Sequence, residues 1–232
     1  MLVIVQNDND VPAGDYGLYL TEEGVPFRIV RPCDGEDIPP VSGISGAILL
    51  GGAMGVHDVE RFPFLHRVKR AIGEWVMAGV PYLGICLGGQ LLADVCGGTV
   101  SPGRCGEKGI HPVALLPAGL HDPLFAGVSG AFLTFQWHND CFSVPEGGVL
   151  LSSSPACPGQ AFRMGKNAYG FQFHPEVDRS IVELWAGETP ETAPFIERYL
   201  DEFISSEEQY HRVSRTILRN FLDLVGEYRT KK

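Results

Sequence analysis

The sequence predicts an α/β fold: a mostly parallel, doubly wound sheet of flavodoxin-like type, with added antiparallel strands and a helical C-terminal extension. Three observations carry that expectation. In the first hundred residues, short continuous apolar runs alternate with stretches of helical periodicity, as in a parallel sheet covered on both faces. From Val100 to Phe173 the segments shorten and are broken by glycine, proline and serine, the signature of hairpins. Beyond Glu176 the pattern turns helical and acidic.

Leu2–Gln6 and Phe27–Val30 read as the first two strands, and Gly46–Leu50 as a third that ends in Gly51-Gly52. Leu65, Val68, Ile72, Trp75 and Val76 recur at three- and four-residue spacing and predict a helix. Val80–Ile85 is the fourth strand and runs into Cys86. A helix over Gln90–Cys96 follows, closed by Gly97-Gly98. Pro112–Leu116, Ala131–Phe135, Gly148–Leu151, Gln160–Met164 and Tyr169–Phe173 are the expected added strands. Thr189-Pro190 offers an N-cap with proline at the first helical position, and Ser205 to Glu208 a capping box. Val213, Ile217, Phe221 and Leu224 mark the apolar face of a last helix. The expected organisation is one domain over 1–232, with a helical insertion at 178–209 and a C-terminal helix at 210–225.

Composition narrows the partners. The chain has 232 residues and a net charge of −10, which disfavours nucleic acid and anionic membrane, since both reward a basic surface. No apolar run approaches the roughly 18 residues of a spanning helix, and Met1–Gln6 does not read as a signal peptide. The six cysteines show no CxxC pair and no zinc spacing, so they are expected to be reduced thiols in the cytoplasm, with no metal and no cofactor. His57, His66, His111, His121 and His211 have no ligand spacing either. Residues 176–208 hold ten acidic and two basic side chains. A solvated helical face accounts for them, with electrostatic docking of a partner as the sharper alternative.

Gly84-Ile85-Cys86-Leu87-Gly88 fits the G-x-nucleophile-x-G pattern of a strand-to-helix elbow. The glycines leave room for a tight turn, and the turn places Cys86 at a helix N-terminus, where the dipole and free N–H groups favour an anion. A nucleophile needs a base and the base an orienting group. Gly170–Glu176 supplies a strand ending at His174, with Glu176 two residues on. The Leu87 amide is one donor for a developing oxyanion, and Gly51-Gly52 can present another.

On three segments the chain resembles the class I (triad) glutamine amidotransferases: Leu50-Gly51-Gly52, then Pro81–Gln90 around Cys86, then Gln172-Phe173-His174-Pro175-Glu176. Gln136–Asp140 is similar to the family's W-H-x-D segment, and the stand-alone GMP-synthetase-like members and plant γ-glutamyl peptidases look most alike. The resemblance implies a triad of Cys86, His174 and Glu176, and an oxyanion hole at Gly52 and Leu87. It further implies that Gln90 and Asp140 bind the amino-acid end of the substrate, while Trp137 and His138 contribute backbone and shape. Ala53 stands where the family usually has proline, which puts the oxyanion loop in question. The segment from Asp178 to Gln209 has no phosphate-binding loop of the G-x-x-x-x-G-K-[ST] type, and a separate synthetase subunit is one expected receiver of the ammonia. Three functions follow: release of ammonia from glutamine, hydrolysis of a γ-glutamyl amide with a larger leaving group, or a regulatory subunit without catalysis.

Overall fold

The computed structural model describes residues 1–230. Its strands are β1 (Leu2–Val5), β2 (Phe27–Val30), β3 (Gly46–Leu49), β4 (Tyr82–Ile85), β5 (Val100–Ser101), β6 (Glu107–Leu115), β7 (Ala131–His138), β8 (Cys141–Phe142), β9 (Val149–Ser153), β10 (Ala161–Met164) and β11 (Ala168–Phe171). The helices are α1 (Gly14–Glu22), α2 (Phe64–Met77), α3 (Leu87–Val95), α4 (Pro117–Leu120), α5 (Arg179–Gly187) and α6 (Ile196–Thr230). Nine strands form one sheet in the order β2-β1-β3-β4-β11-β10-β9-β6-β7. The β2-β1-β3-β4-β11 half is parallel, and from β11 to β7 every pairing is antiparallel. β5 and β8 make a separate two-stranded ribbon.

Alternation along the strands explains the layers. In β1, Leu2 and Ile4 enter one core cluster while Val3 and Val5 enter the other. In β4, Leu83 and Ile85 face the first cluster and Tyr82 the second. The first cluster takes Tyr16 and Leu20 of α1, Ile181 and Trp185 of α5, and Phe203, Ile217 and Phe221 of α6. The second takes Leu65, Val68, Ile72 and Trp75 of α2, and Leu91 and Leu92 of α3. In a parallel sheet ligands collect beyond the carboxyl ends of the strands, near the point where strand order reverses. Here that region holds the segments after β1, β3 and β4.

The structure departs from the sequence expectations in several places. α1 was not expected, because Gly14, Gly17 and Gly24 mask its pattern; a parallel β1–β2 pair nevertheless requires a crossover. α3 starts at Leu87 rather than Gln90, since Gly88 and Gly89 are there for close packing and do not break the helix. β6 and β7 extend to Glu107 and His138, and they pair in full register across the gap between them. Finally, the expected boundary at 209/210 is absent: α6 is one helix from Ile196 to Thr230. The Ser205 hydroxyl bonds back to the Glu202 carbonyl at 2.9 Å instead of capping. Thr189 makes a closed turn with Thr192, and the helix begins only after a 3₁₀ turn over Ala193–Phe195.

The acidic stretch reads as the solvated face expected of it, with Glu183, Glu191, Glu197, Asp201, Glu202 and Glu208 exposed, but Glu176 is fully buried. α6 is tied to α1 by Arg215, which holds both oxygens of the buried Asp15 at 2.6 and 3.1 Å, with His211 at 3.3 Å from the same carboxylate. No helix among the described residues is long and apolar enough to cross a membrane.

The core assignment of α6 is testable by equilibrium urea denaturation. Phe221→Ala, at a fully buried site, should lower stability by about 3–5 kcal/mol. Phe195→Ala, at a ring that is 47% exposed, should change it by less than about 1 kcal/mol.

Candidate active site

Cys86 follows β4 and caps α3 with φ 49° and ψ −107°; among the described residues it alone has positive φ without being glycine. Held strain of this kind is found where a side chain must be aimed. The surrounding backbones explain what holds it. A Cβ on Gly84 would lie 2.3 Å from the Gly88 carbonyl oxygen, one on Gly88 2.1 Å from that of Leu49, and one on Gly89 2.4 Å from that of Phe171. Strands β3, β4 and β11 and the first turn of α3 therefore meet at contact distances that no side chain could share. The Cys86 amide donates to the Phe171 carbonyl at 2.8 Å, and the Cys86 carbonyl accepts from Gln90 N–H at 2.9 Å. The amides of Leu87, Gly88 and Gly89 precede that first helical bond and have no intrahelical acceptor.

His174 follows β11, and its amide donates to the Phe135 carbonyl at 2.8 Å, which binds it to β7. Its Nδ1 lies 2.7 Å from Glu176 Oε1, and both side chains are buried. The Trp185 ring packs edge-on against the imidazole at 4.8 Å. Burial works against a charged imidazole, but Glu176 and Cys86 outweigh it and push His174 up to about 10. The ring thus keeps its proton through neutral pH, next to the sulfur.

α6 holds this corner in place. The Tyr210 hydroxyl donates to the His174 carbonyl at 2.9 Å and accepts from the Val177 amide at 2.9 Å. The Ser214 hydroxyl donates to the Pro175 carbonyl at 2.5 Å, and the Asp15 amide of α1 donates to the Glu176 carbonyl at 2.8 Å.

The loop after β3 has its own anchors. Ala53 retains an N–H where proline would have none, and that N–H donates to Asp8 Oδ2 at 3.1 Å. The side-chain amide of Asn7 holds the Leu50 carbonyl at 2.9 Å. The segment after β1 thus pins the loop after β3, and Gly51 and Gly52 stand beside Cys86.

Two cavities meet at Cys86 and the Gly52-Ala53 loop. The smaller is polar and is lined by Gln90, Trp137, His138, Asn139 and Asp140. The larger, about 370 Å³, is lined by Asp8, Asp10, Val11, Trp137, Trp185 and Glu188, with His174 at its edge. Burial, then Asp10 and Asp8, raises the Glu188 carboxyl above its ordinary range.

Seven of the nine residues expected at the site line these cavities; Leu87 and Glu176 do not, and Glu176 is buried against His174. Gln90 Nε2 donates to Gln172 Oε1 at 3.3 Å, and Gln172 Nε2 faces Cys86 Sγ at 3.7 Å. Asp140 Oδ1 accepts from the Gly103 amide at 3.0 Å, which leaves one oxygen for a ligand. Trp137 stacks on Phe135 with centroids 5.8 Å apart, under the Lys108 ammonium at 5.1 Å. The His138 ring turns inward: Nδ1 meets the Asp140 carbonyl at 2.9 Å, and Nε2 faces Glu107. Sequence reasoning passed over Asp8, Gln172, Trp185 and Tyr210. Gln172 sat inside a quoted motif; the other three become visible only when distant segments are brought together.

Known proteins resemble the chain in sequence and in fold. The family model described as glutamine amidotransferase class-I matches residues 19–181. A Salmonella typhimurium glutamine amidotransferase-like protein, YfeJ, is 30% identical over 175 residues, covering 74% of this chain and 73% of its own. The GMP synthase of Clostridium botulinum is 36% identical over 134 residues, but those residues are only 24% of that enzyme. A crystal structure of a Thermotoga maritima glutamine amidotransferase superposes with a TM-score of 0.85 at 28% identity, covering 97% of each chain. One from Methylobacillus flagellatus gives 0.84 at 27%, covering 96% of this chain and 94% of that one. The chain belongs to the class I glutamine amidotransferases, cysteine-dependent hydrolases of the glutamine amide. The full-length GMP synthases it matches are about four times as long as the matched part.

Two measurements probe the His174 corner. Tyr210→Phe leaves the His174 carbonyl and the Val177 amide without partners in a buried site and should lower stability by about 1–3 kcal/mol. The His174 proton is bound in the folded state up to about pH 10, whereas an unfolded histidine releases it near pH 6.5. Its contribution is complete below that lower value and is lost as pH rises toward the upper one. Wild-type stability should therefore fall between these limits relative to His174→Gln, and parallel pH profiles for the two proteins would show that the proton is not held.

Proposed function

We propose that the chain hydrolyses the side-chain amide of glutamine through a γ-glutamyl thioester on Cys86. The observation that carries this reading is the buried His174–Glu176 pair at 2.7 Å set against the strained Cys86. Cys86 sulfur attacks the amide carbonyl, and the oxygen gathers negative charge between the Leu87 amide and that of Gly52. Preorganised donors at that point supply a large part of the barrier lowering in acyl transfer. The proton on His174 Nε2 passes to the departing nitrogen, the C–N bond breaks and ammonia leaves. Neutral His174 then takes a proton from water, which attacks the thioester, and glutamate departs as the sulfur is restored. Glu176 fixes the ring so that Nε2 faces the sulfur. The polar cavity suits the amino-acid end of the substrate. The free oxygen of Asp140 would pair with the α-ammonium, and the Gln90 amide and backbone groups with the carboxylate.

A second reading has a specific observation in its favour. The cavity on the leaving-group side, about 370 Å³, is larger than ammonia requires. Two tryptophans and three carboxylates in its wall suit an amine-bearing leaving group, so γ-glutamyl amides of amines are the alternative substrates. In the first reading that space opens toward a synthetase subunit that receives the ammonia. The GMP synthases among the relatives make such a partner the natural acceptor. A non-catalytic role has nothing to support it while the Cys86, His174 and Glu176 side chains remain assembled.

Glutamate release by the purified chain, with glutamine and a γ-glutamyl dipeptide compared side by side, separates the two readings. Cys86→Ala should abolish release from either, and Glu176→Gln should lower kcat by roughly two to four orders of magnitude with a smaller change in KM. A glutamine-analogue electrophile should label Cys86; labelling that persists unchanged in Cys86→Ala would refute the nucleophile.

A further inference from the structure

Behind the wall formed by residues 137–140 lies a group of side chains that the proposed chemistry does not use. His138 Nδ1 faces the Asp140 carbonyl at 2.9 Å. A carbonyl can only accept, so Nδ1 carries the proton and Nε2 of the neutral ring carries a lone pair. Nε2 is buried, has no hydrogen-bond partner, and faces Glu107 Oε2 at 3.4 Å. Two acceptors opposed in a buried site repel each other, so a positive species belongs between them. One candidate is a second proton on His138. The sulfurs around the site point to another. The Cys157 sulfur, the His138 nitrogen and a Glu107 oxygen all lie within 4.8 Å of one another. The three residues are 0%, 5% and 6% exposed. Cys105 and Cys141 pack against Cys157, with their own sulfurs 2.9 Å apart.

We propose that Glu107, His138 and Cys157, with Cys105 or Cys141 as a fourth donor, bind one zinc-class divalent cation. Zinc takes nitrogen, thiolate and carboxylate ligands in a tetrahedron with bonds of about 2.0–2.3 Å, so the Glu107, His138 and Cys157 donors need draw together only by about an ångström. The supporting contacts are those of a metal site. A ligating histidine usually gives its other N–H to a carbonyl or carboxylate, as His138 does. Glu107 is oriented by the Ser154 hydroxyl at 2.8 and 3.0 Å and by Gln160 Nε2 at 2.6 Å. Burial pushes the Cys141 and Cys157 thiols up to about 12, so a cation would have to displace their protons on binding. The ion would be structural. It would fasten β6, the end of β7 and the loop before β10, and so fix the segment from which Trp137, Asn139 and Asp140 reach the substrate cavity. The sequence signal is His138-x-x-Cys141 together with Cys105-x-Glu107, two short pairs that register across β6 and β7 brings together.

Zinc content tests the proposal in a Cys86→Ala background, which removes the reactive thiol as a competing ligand. The protein is kept reduced, equilibrated with zinc chloride, passed through a desalting column and assayed by atomic absorption, alongside versions carrying Cys157→Ser or Glu107→Gln. The expected result is about one zinc per chain, a Tm several degrees above that of the chelator-treated protein, and at least tenfold weaker binding in each variant. Cobalt in place of zinc should give thiolate-to-metal absorption that Cys157→Ser diminishes. If the folded Cys86→Ala protein retains no zinc, the cation between His138 and Glu107 is a proton and the proposal is wrong. Zinc retained equally by Cys157→Ser would overturn it as well.

Discussion

The active site depends on one steric constraint: the approach of four backbone segments around Cys86. Gly84, Gly88 and Gly89 let β3, β4, β11 and the first turn of α3 come so close that a single methyl group at any of the three would overlap a carbonyl oxygen. That approach forces Cys86 into its unusual backbone conformation and lifts the sulfur above the sheet. Everything else at the site is arranged relative to it. His174 arrives after the strand on one side of β4 and the Gly51-Gly52 loop after the strand on the other side.

The second requirement is that a buried charged pair stay in place. His174 and Glu176 occupy a segment that follows a strand and has no ladder of its own beyond the single bridge to Phe135. Its position comes from outside the sheet. Tyr210 and Ser214 of α6 bond to the backbone of residues 174, 175 and 177, and α1 bonds to that of residue 176. The long C-terminal helix is therefore not an appendage to the catalytic core. Its apolar face closes one side of the sheet, and its buried hydroxyls hold the segment that carries His174. The acidic residues of the same region face solvent, so α6 presents a charged face outward and an apolar face to the sheet.

Much of this was legible in the sequence. The elbow glycines, the spacing of His174 and Glu176, and the parallel half of the sheet rest on local rules of turn chemistry and apolar periodicity. What escaped had non-local causes. Helix α1 was hidden because its glycines suppress helical propensity, while packing against α6 supplies what propensity does not. Ser205 and Glu208 spelled a helix start that the continuous apolar face from Tyr199 to Val225 overrode. Asp8 compensates for Ala53 across 45 positions of chain, a link no window could show.

The central claim is covalent: glutamine and any other accepted γ-glutamyl amide pass through the same acyl-Cys86 intermediate. Hydroxylamine tests it most directly, since it intercepts a thioester in competition with water. If the claim holds, turnover in hydroxylamine gives γ-glutamyl hydroxamate, and the ratio of hydroxamate to glutamate is the same whichever donor is supplied. Glutamate formed with no hydroxamate at any hydroxylamine concentration, or a ratio that changes with the leaving group, would contradict a common thioester and require water to attack the amide directly.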